Sequence, residues 1–349
     1  MTIAIQNIMF SGAKGINGWI VNFLKLYKPV LYVSNLRYVP RLMHFFYRFG
    51  LNPLNYKIIF SVKQLNAMAD VLVCFNGLPY AESNKPIKEF KGLKIYHLMD
   101  FTFFPSMSNK ALEDGGVDFV FGYARHDRYC EFFQKEYPRY IGKVLPVPFG
   151  FAPRFRDLVP FAERRNKVIA LGSVNSFVDS VHTVDALREL NEFFLAQSEK
   201  FMHKFRRMLV ENEENLAAIM DSKLPHFPQV KDFGYDIVQA LNQYKMFVSC
   251  ESLLYFPAAK TFEGPAVGTV MICSEHPCFD DLGFKDGINC VKHKEFDLQD
   301  FRGKVSHYLK NQDKLEQIQK AGTQFVRDTY NHQKVAQQVY ETIKQTLRR

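Results

Sequence analysis

The sequence lacks the cysteine spacing and the hydrophobic length that several classes of protein require. None of its six cysteines forms a C-x-x-C pair, and most lie inside apolar runs, where a free thiol behaves as a small hydrophobic group. No apolar run approaches the ~18 residues that a membrane-spanning helix needs. The N-terminal stretch MTIAIQNIMF alternates like a strand and lacks the basic flank and cleavage site of a signal peptide. These absences predict a reduced, cytoplasmic protein without disulfides or a zinc site.

The motifs of several catalytic classes are absent as well. There is no D-x-D, no H-E-x-x-H and no EF-hand loop, so the sequence gives little support to a metal site. The G-x-S-x-G elbow of serine hydrolases is missing. Neither the G-x-G-x-x-G fingerprint nor the G-K-[ST] of a phosphate-binding loop occurs. We therefore expect chemistry that requires no metal and no resident cofactor.

Positive charge is concentrated in the first part of the chain. Residues 1–150 contain 18 Lys and Arg against 10 Asp and Glu, a net charge of +8 out of +9 for the whole chain. The remaining residues contain 27 against 26 and are nearly neutral. A basic half suggests an anionic partner such as nucleic acid, a membrane surface or a phosphorylated substrate. Charge that only serves solubility is the alternative.

Short apolar runs alternate with helical patterns along the first half, which predicts a parallel sheet covered by helices on both faces. The predicted strands are 3–10, 30–34, 57–61, 70–75, 94–98 and 117–122. The predicted helices include 16–27, 39–48 and 125–136. The segment GKVLPVPFGFAPRF, with three prolines, then predicts an extended connection over 142–155.

The pattern restarts after this connection. The predicted strands of the second half are 167–173, 245–252, 269–275 and 288–293. The predicted helical regions are 183–220 and 297–347. The fold class is therefore predicted to be α/β, with two Rossmann-like domains whose parallel sheets face each other across a cleft. The predicted domains are 1–150 and 151–330, and a C-terminal helix within 331–349 is expected to pack back towards the first domain.

Residues directly after predicted strands are candidate site residues, because ligands of open parallel sheets bind at the carboxyl ends of the strands. Gly12, Lys14 and Gly15 follow the first strand and are candidate cleft residues that would contact a ligand, with an ordinary glycine-rich turn as the alternative. Asp100 lies in aromatic surroundings, which would raise its pKa and suit it to general-base chemistry; a structural carboxylate is the alternative. His126 is a second candidate base, although a lone histidine is more often structural.

The stretch LRYVPRLMHFFYRFG, residues 36–50, has the pattern of an amphipathic helix. Arg37, Arg41 and Arg48 fall on one side with His44, and apolar side chains cover much of the rest. This pattern is typical of a helix in a membrane interface, where anionic lipid contributes ~1 kcal/mol per nearby cation. The three arginines are therefore predicted to face a membrane, with an ordinary surface helix as the alternative.

Strand ends in the second domain carry nine further candidate ligand-binding residues. These are Gly172, Ser173, His182, Glu251, Ser252, Lys260, Thr261, Glu263 and Gly264. A carboxylate such as Glu263 can accept two hydrogen bonds from the vicinal hydroxyls of a ribose. It could also be only a partner for the helix dipole. Lys260, one turn earlier, could neutralise a diphosphate.

Over about 140–345, the sequence resembles the two-domain GT-B glycosyltransferases, most closely the broad group-1 family and its CgeB-like members. KVLPVPFGF resembles the interdomain connection of that family, and KVIALGS its first strand and glycine turn in the nucleotide-binding domain. KTFEGPAVGTVMI is similar to its basic-x-Phe-Glu block, and FKDGINCVKHKEFDLQDFRGKVSHYLKN to the loop, strand and helix that follow. HLMDF resembles a strand end of CgeB-like relatives.

The resemblance implies that the nine candidates of the second domain bind a donor and that Gly12, Lys14 and Gly15 lie at the acceptor or the cleft. It implies specific roles for four residues. Glu263 would hold the ribose of a nucleotide-sugar donor, Lys260 would lie near the donor diphosphate, and Gly172 and Ser173 would allow the phosphates to approach closely.

The chain departs from the family pattern in two places. The family has a second glutamate eight positions before Glu263, where this chain has Tyr255, and the nearest upstream candidate is Glu251. The basic residue that usually follows the first strand of the second domain is missing, and His182 is the candidate replacement.

The resemblance implies a metal-independent glycosyltransferase that moves a sugar from a nucleotide-sugar donor to an acceptor hydroxyl, in bacterial surface polysaccharide or glycoconjugate synthesis. The implied acceptor is a glycan or a lipid-linked molecule, and the basic helix suggests peripheral contact with an anionic membrane at its inner face; no nucleic-acid partner is expected. Inversion would require a base, for which Asp100 and His126 are the candidates, whereas the group-1 likeness favours retention. The alternatives are a basic nucleic-acid- or membrane-binding α/β protein without transferase activity, and a related nucleotide-sugar epimerase or phosphorylase.

Overall fold

The computed structural model of the chain describes residues 1–175, 185–227, 234–250, 252–255 and 257–348. The chain divides into two compact units. Unit 1 consists of Met1–Pro148 together with His332–Arg349, and unit 2 consists of Phe149–Asn331. Each unit has its own parallel β-sheet and its own core.

The sheet of unit 1 has seven strands, all parallel. In chain order they are β1 (Ile3–Gln6), β2 (Val30–Tyr32), β3 (Ile58–Ile59), β4 (Val71–Cys74), β5 (Leu93–His97), β6 (Phe119–Gly122) and β7 (Val144–Pro146). Their order across the sheet is β3-β2-β1-β4-β5-β6-β7. Strands β1 and β4 are buried at every position, as expected at the centre of a parallel sheet covered on both faces.

The strands of unit 1 are connected by helices. These are α1 (Trp19–Tyr27), α2 (Val39–Arg48), α3 (Val62–Met68), α4 (Pro105–Asp114), α5 (His126–Tyr129) and α6 (Glu131–Glu136). Short 3-10 turns occur at Ile8–Phe10, Gly15–Asn17, Leu36–Tyr38, Pro53–Asn55 and Pro138–Tyr140. Helix α3 begins after Ser61, whose hydroxyl accepts a hydrogen bond from the backbone amide of Gln64 at 3.2 Å.

The described part of unit 2 contains a five-stranded parallel sheet and a small two-stranded one. The strands are β8 (Arg165–Leu171), β9 (Val174–Asn175), β10 (Met220–Lys223), β11 (His226–Phe227), β12 (Tyr244–Ser249), β13 (Val270–Ser274) and β14 (Val291–His293). The larger sheet has the order β10-β8-β12-β13-β14, and β9 pairs with β11. The predicted α/β fold with two parallel sheets is confirmed.

Helices pack around the larger sheet of unit 2. They are α7 (Arg188–Ala196), α8 (Lys204–Glu211), α9 (Glu213–Leu216), α10 (Ile237–Asn242), α11 (Lys260–Ala266), α12 (Pro277–Asp280), α13 (Leu298–Lys310) and α14 (Gln312–Thr329), with 3-10 turns at Phe161–Glu163 and Asp185–Leu187. Leu209, Val305 and Ile318 from three of these helices pack against Val168 and Ile272 of the central strands. This burial of aliphatic side chains stabilises the sheet that carries the site.

The last helix, α15 (His332–Leu347), packs within unit 1. The rings of Tyr340 and Tyr27 are stacked, with centroids 3.9 Å apart, and Phe23 lies against the same Tyr340 ring at 6.5 Å. At the start of the helix, the ring of His332 lies so close to Gly18 that a β-carbon there would meet it at 2.6 Å. Aromatic packing therefore attaches the end of the chain to α1.

Two strands lie where the sequence predicted other structure. Strand β7 lies inside the predicted connection 142–155, because Val144 and Leu145 are apolar enough to be buried at the sheet edge before the prolines end the strand. Strand β10 follows directly on the predicted helical region 183–220. Its sequence MDSK carries no apolar alternation, and Asp221 is held by hydrogen bonds from Lys167 and Tyr244 at 2.8 Å each.

Candidate functional site

A cavity of about 430 Å³ lies at the carboxyl end of strand β8 in unit 2. It is lined by Arg154, Leu171, Gly172, Ser173, Arg206, Tyr235, Asp236, Ile237, Ala258, Ala259, Lys260 and Glu263. The strand contributes its terminal glycine turn, α8 contributes Arg206, and α11 contributes Lys260 and Glu263. The cavity thus combines three cations, one glutamate and a glycine turn.

Helix α11 is held in place by two glycines. A β-carbon on Gly264 would meet the Phe247 ring of strand β12 at 2.2 Å, so glycine is needed for close packing of helix and strand. Gly268 has φ +77°, and the amide of Thr269 donates to the carbonyl of Gly264 at 3.1 Å, which is the usual glycine ending of a helix. Arg327 donates two hydrogen bonds to the Ala266 carbonyl at 3.1 and 2.8 Å. These contacts fix the helix that presents the carboxylate.

The carboxylate of Glu263 is only 8% exposed. Burial raises its pKa to about 7, and the positive charges of Arg154 and Lys260 oppose this increase. Ionised Glu263 is therefore costly without further hydrogen-bond donors, and a ligand that supplies them would stabilise the charged form.

Lys260 and Arg206 bring two positive charges to the same glycine turn. Lys260 is 6% exposed and donates a hydrogen bond to the carbonyl of Leu171, and Arg206 is 5% exposed and donates to the carbonyl of Ser173 at 3.0 Å. Burial lowers the pKa of Lys260 well below its ordinary value, and the charge of Arg206 lowers it further. The turn is therefore a site of concentrated positive potential.

The turn itself requires glycine at position 172. Gly172 has φ +123°, and an added β-carbon would lie 2.9 Å from Arg206 and 3.1 Å from Lys260. The hydroxyl of Tyr235 accepts a hydrogen bond from the backbone amide of Gly172 at 3.1 Å. We expect Gly172→Ala to lower stability by ~1 kcal/mol or more, because alanine is strained at this φ, and to displace both cations.

This expectation can be checked with Gly142→Ala, a matched substitution at φ +77° where no atom lies within 4 Å of the added β-carbon. Both variants should unfold at lower temperature than wild type. Only Gly172→Ala should also weaken the binding of inorganic diphosphate. Equal diphosphate binding by the two variants would contradict the role of the turn.

Four of the predicted donor-binding residues, Gly172, Ser173, Lys260 and Glu263, line the cavity. Three other predicted donor residues lie elsewhere, and the reasons are steric. Thr261 is fully buried and shares a hydrogen bond of 2.7 Å with Ser249, and Gly264 faces the Phe247 ring. Ser252 is 5% exposed, and its hydroxyl accepts from the amide of Leu254 at 3.2 Å. These three residues serve packing and local structure rather than the lining of the cavity. The predicted His182 and Glu251 lie outside the described residues.

Arg206, Arg154 and Tyr235 were missed by sequence reasoning. Arg206 lies more than 30 positions after the turn that it contacts, on a helix whose charged face has the pattern of any solvated surface. One signal in the sequence could have pointed to such a cation. The family pattern has a basic residue after the first strand of the second domain, and this chain has none directly after that strand. In the structure, Arg206 of α8 lies at this turn.

The two candidate bases in unit 1 have different surroundings. Asp100 is exposed, and partial desolvation by neighbouring side chains raises its pKa. Its charge also contributes to the raised pKa of Tyr80 and Tyr123, which places both phenols nearby. His126 is instead 1% exposed, packs against Phe101 with ring centroids 4.6 Å apart, and has its pKa lowered to about 3 by burial. The geometry thus corrects the expectation that His126 is a catalytic base, because a ring buried in the aromatic core cannot contact a bound substrate.

The predicted helix 39–48 forms as α2, but its apolar side is not available to a membrane. Leu42 is fully buried and Phe46 is 1% exposed, so this face packs into the core of unit 1. Arg41 and Arg48 are exposed and line a second cavity of about 650 Å³ in unit 1. Gly12 and Lys14 line this cavity too, whereas Gly15 (φ +52°) and Arg37 are not part of its lining.

Other structural tests concern metals and membranes. Among the residues that the structure describes, no group of three or more His, Cys, Asp or Glu is arranged to hold a metal ion. Within the same ranges, no helix has both the length and the apolar character that crossing a membrane requires.

Comparison with known proteins shows a family likeness over part of the chain. The family model described as "Glycosyl transferase-like" matches residues 222–341, which include strand β12, helix α11 and the helices that follow. This match makes the second part of the chain similar to glycosyltransferases. The group-1 likeness that the sequence suggested is confirmed, whereas the narrower CgeB-like assignment stays a prediction.

Solved structures show the same fold at low sequence identity. The chain is similar to Anabaena Alr3699/HepE in complex with UDP and glucose, at 11% identity and TM-score 0.55, over 99% of this chain and 100% of that one. A glycosyltransferase from Rickettsia africae has 12% identity and TM-score 0.52, over 99% and 98%. The lipopolysaccharide outer core galactosyltransferase WaaB in its apo form has 11% identity and TM-score 0.53, over 99% and 100%. No curated protein sequence matches the chain.

Proposed function

We propose that the cavity of unit 2 binds the nucleotide part of a uridine diphosphate sugar, and that this glycosyltransferase moves the sugar to an acceptor hydroxyl. Glu263 accepts hydrogen bonds from the ribose hydroxyls. Lys260 and Arg206 hold the diphosphate, and Gly172 lets its oxygens approach the backbone. Uridine is chosen because the HepE structures that this chain resembles contain UDP and UDP-glucose.

One observation carries this proposal: two buried cations and a buried carboxylate meet at one cavity. A diphosphate between Lys260 and Arg206 would remove their mutual repulsion and compensate for the loss of water around them. A vicinal diol would supply the hydrogen-bond donors that make ionised Glu263 favourable. A nucleoside diphosphate carries both groups, a short distance apart.

The same cations support the chemical step. Transfer breaks the bond between the anomeric carbon and the diphosphate oxygen, and negative charge develops on the departing diphosphate. Lys260 and Arg206 are already positioned to stabilise this charge, which is usually the largest contribution to catalysis. The proposed reaction is therefore independent of a divalent metal.

Asp100 of unit 1 is the proposed base for the acceptor hydroxyl. Its raised pKa brings it nearer to the pH at which a carboxylate accepts a proton efficiently. The stereochemistry of the product decides whether this base is used, because an inverting reaction requires it and a retaining reaction does not.

Surface-glycan synthesis is the proposed setting, because the chain is similar to an outer core galactosyltransferase. A cytoplasmic enzyme with peripheral contact to an anionic membrane through the exposed arginines of α2 would be consistent with that setting.

The nucleotide assignment is tested by thermal unfolding with UDP, GDP, ADP and CMP, each in EDTA and in Mg²⁺. We expect UDP to stabilise the protein in both buffers, since a ligand at 100 times its Kd adds roughly 2.7 kcal/mol. Arg206→Gln should require at least about tenfold more UDP for the same shift, because a hydrogen bond between charged groups is lost.

Arg188→Gln is the matched control, since Arg188 is exposed and pairs only with Asp185 within the described residues, at 3.3 Å. It should respond to UDP like wild type. Stabilisation by another nucleotide instead of UDP would change the proposed nucleobase of the donor and leave the proposed binding site standing. Stabilisation by homopolymer RNA and by no nucleotide would favour the nucleic-acid alternative. Release of free nucleotide with a new glycoside would separate transfer from epimerisation and phosphorolysis.

A further inference from the structure

The 650 Å³ cavity of unit 1 is formed by the loop after strand β1 and by one face of α2. It is lined by Met9, Phe10, Ser11, Gly12, Ala13, Lys14, Pro40, Arg41, His44, Phe45, Arg48 and Phe49. Lys14, Arg41 and Arg48 carry positive charge, and the imidazole of His44 adds a further donor. No carboxylate is among the lining residues.

These basic residues have no acidic partner in the part of unit 1 that the structure describes. The ion pairs of unit 1 are formed by other residues, for example by Lys85 with Glu82 at 2.7 Å and by Arg125 with Asp127 at 3.0 Å. None of the ion pairs includes a basic side chain that lines the cavity. Their charge is therefore available to an anion that enters the cavity.

Aromatic rings hold the two guanidinium groups in place. Arg41 lies over the ring of Phe10 at 5.3 Å, and Arg48 over the ring of Phe49 at 5.6 Å. Phe10 in turn packs edge-on against Tyr38, with centroids 4.9 Å apart. Stacking leaves the N–H edge of a guanidinium free to donate to an oxyanion, and it reduces the rotamer freedom that binding would otherwise cost.

We propose that this cavity binds the phosphate or diphosphate ester of an acceptor that also carries an apolar group. The guanidinium groups match phosphate oxygens in a two-pronged geometry, and Phe10, Phe45 and Phe49 provide apolar surface beside them. The volume exceeds what an inorganic phosphate occupies. The inference rests on the proposed function in one respect, namely that the bound molecule is the acceptor of the sugar.

The test is calorimetric titration of the full chain with farnesyl diphosphate, farnesol and inorganic diphosphate. We expect farnesyl diphosphate to bind most tightly, inorganic diphosphate more weakly, and farnesol not measurably. The double variant Arg41→Gln/Arg48→Gln should bind farnesyl diphosphate at least about tenfold more weakly, because two charge-assisted contacts are lost. Stabilisation by UDP should be unchanged in the double variant, since its residues lie in unit 1.

Arg37→Gln is the control, because Arg37 is exposed on the turn before α2 and does not line the cavity. It should retain farnesyl diphosphate binding within about twofold. Vesicles of phosphatidylcholine with phosphatidylglycerol distinguish a binding site from a charged surface. Equal weakening of vesicle binding by both variants, with no binding of soluble farnesyl diphosphate, would overturn the site in favour of a membrane-facing surface.

The two proposals fail separately. Arginine-dependent binding of farnesyl diphosphate with no response to UDP would keep this site and remove the uridine nucleotide assignment. A normal response to UDP with no binding of any phosphate ester would overturn the inference and leave the proposed function standing.

Discussion

Without nucleotide, the Glu263→Gln variant is expected to be more stable than wild type at pH 8. The pKa of Glu263 is raised from 4.5 to about 7 by burial, a shift that corresponds to about 3 kcal/mol at 1.36 kcal/mol per unit. Above pH 7 the folded wild type must hold an ionised carboxylate in a poorly solvated place. Glutamine has the same shape and no charge, so it avoids this cost.

The sign of the pH dependence follows from linkage. Between pH 4.5 and pH 7 the unfolded chain has released the proton that the folded chain still binds, so the stability of wild type falls as pH rises through this range. Below pH 4.5 both states are protonated and the contribution is fully present. The variant should lack this fall, and its unfolding temperature should exceed that of wild type by roughly 5–10 °C at pH 8.

Nucleotide binding should show the opposite preference. Ionised Glu263 accepts hydrogen bonds from the ribose, so Glu263→Gln should weaken UDP binding by roughly 10–100-fold, the value of hydrogen bonds to a charged group. Thermal unfolding from pH 4 to pH 8, with and without UDP, measures both effects. Glu192→Gln, which changes an exposed carboxylate on α7, is the control and should change neither. A variant that is less stable than wild type at pH 8 and binds UDP equally well would contradict both roles.

Lys260→Met should lower the rate of sugar transfer by roughly 10²–10³-fold. Lys260 is a buried cation beside the glycine turn, and removing one preorganised donor from a developing negative charge typically has an effect of this size. The variant should nevertheless fold and unfold at a temperature no lower than wild type. Burial and Arg206 lower the pKa of Lys260, so the charged form is held at a cost that methionine removes.

The lower rate is measured as the release of nucleoside diphosphate from UDP-glucose by the purified protein. Lys310→Met is the matched control, because Lys310 is exposed at the end of α13. This variant should leave both the stability and the transfer rate unchanged. A Lys260→Met variant that keeps its rate within about threefold would remove Lys260 from the chemical step. A variant that no longer folds would contradict the electrostatic argument about stability.

The sequence predicted the parts of the fold that have strong apolar patterns. Strands β8, β12 and β13 coincide with apolar runs of the sequence. The basic-x-Phe-Glu block predicted that Lys260 and Glu263 lie together at the start of one helix. Strand β10 was not predicted, because its sequence MDSK is stabilised by side chains from neighbouring strands rather than by its own pattern.

The remaining part of the site depends on contacts between distant residues. Arg206 reaches the glycine turn from another helix, and no local spacing in the sequence connects the two. Conversely, Thr261 and Gly264 lie next to site residues in the sequence but face the sheet, since neighbours on a short helix point in different directions. Local patterns therefore identified the helix of the site, and tertiary contacts decided which of its residues line the cavity.

The most direct test of the central claim is a crystal structure of the wild-type protein with UDP, grown in EDTA. We predict the nucleotide in the cavity of unit 2, with ribose hydroxyls within hydrogen-bond distance of Glu263 and the diphosphate against Gly172, Lys260 and Arg206. UDP bound elsewhere, or bound there with its ribose away from Glu263, would contradict this assignment.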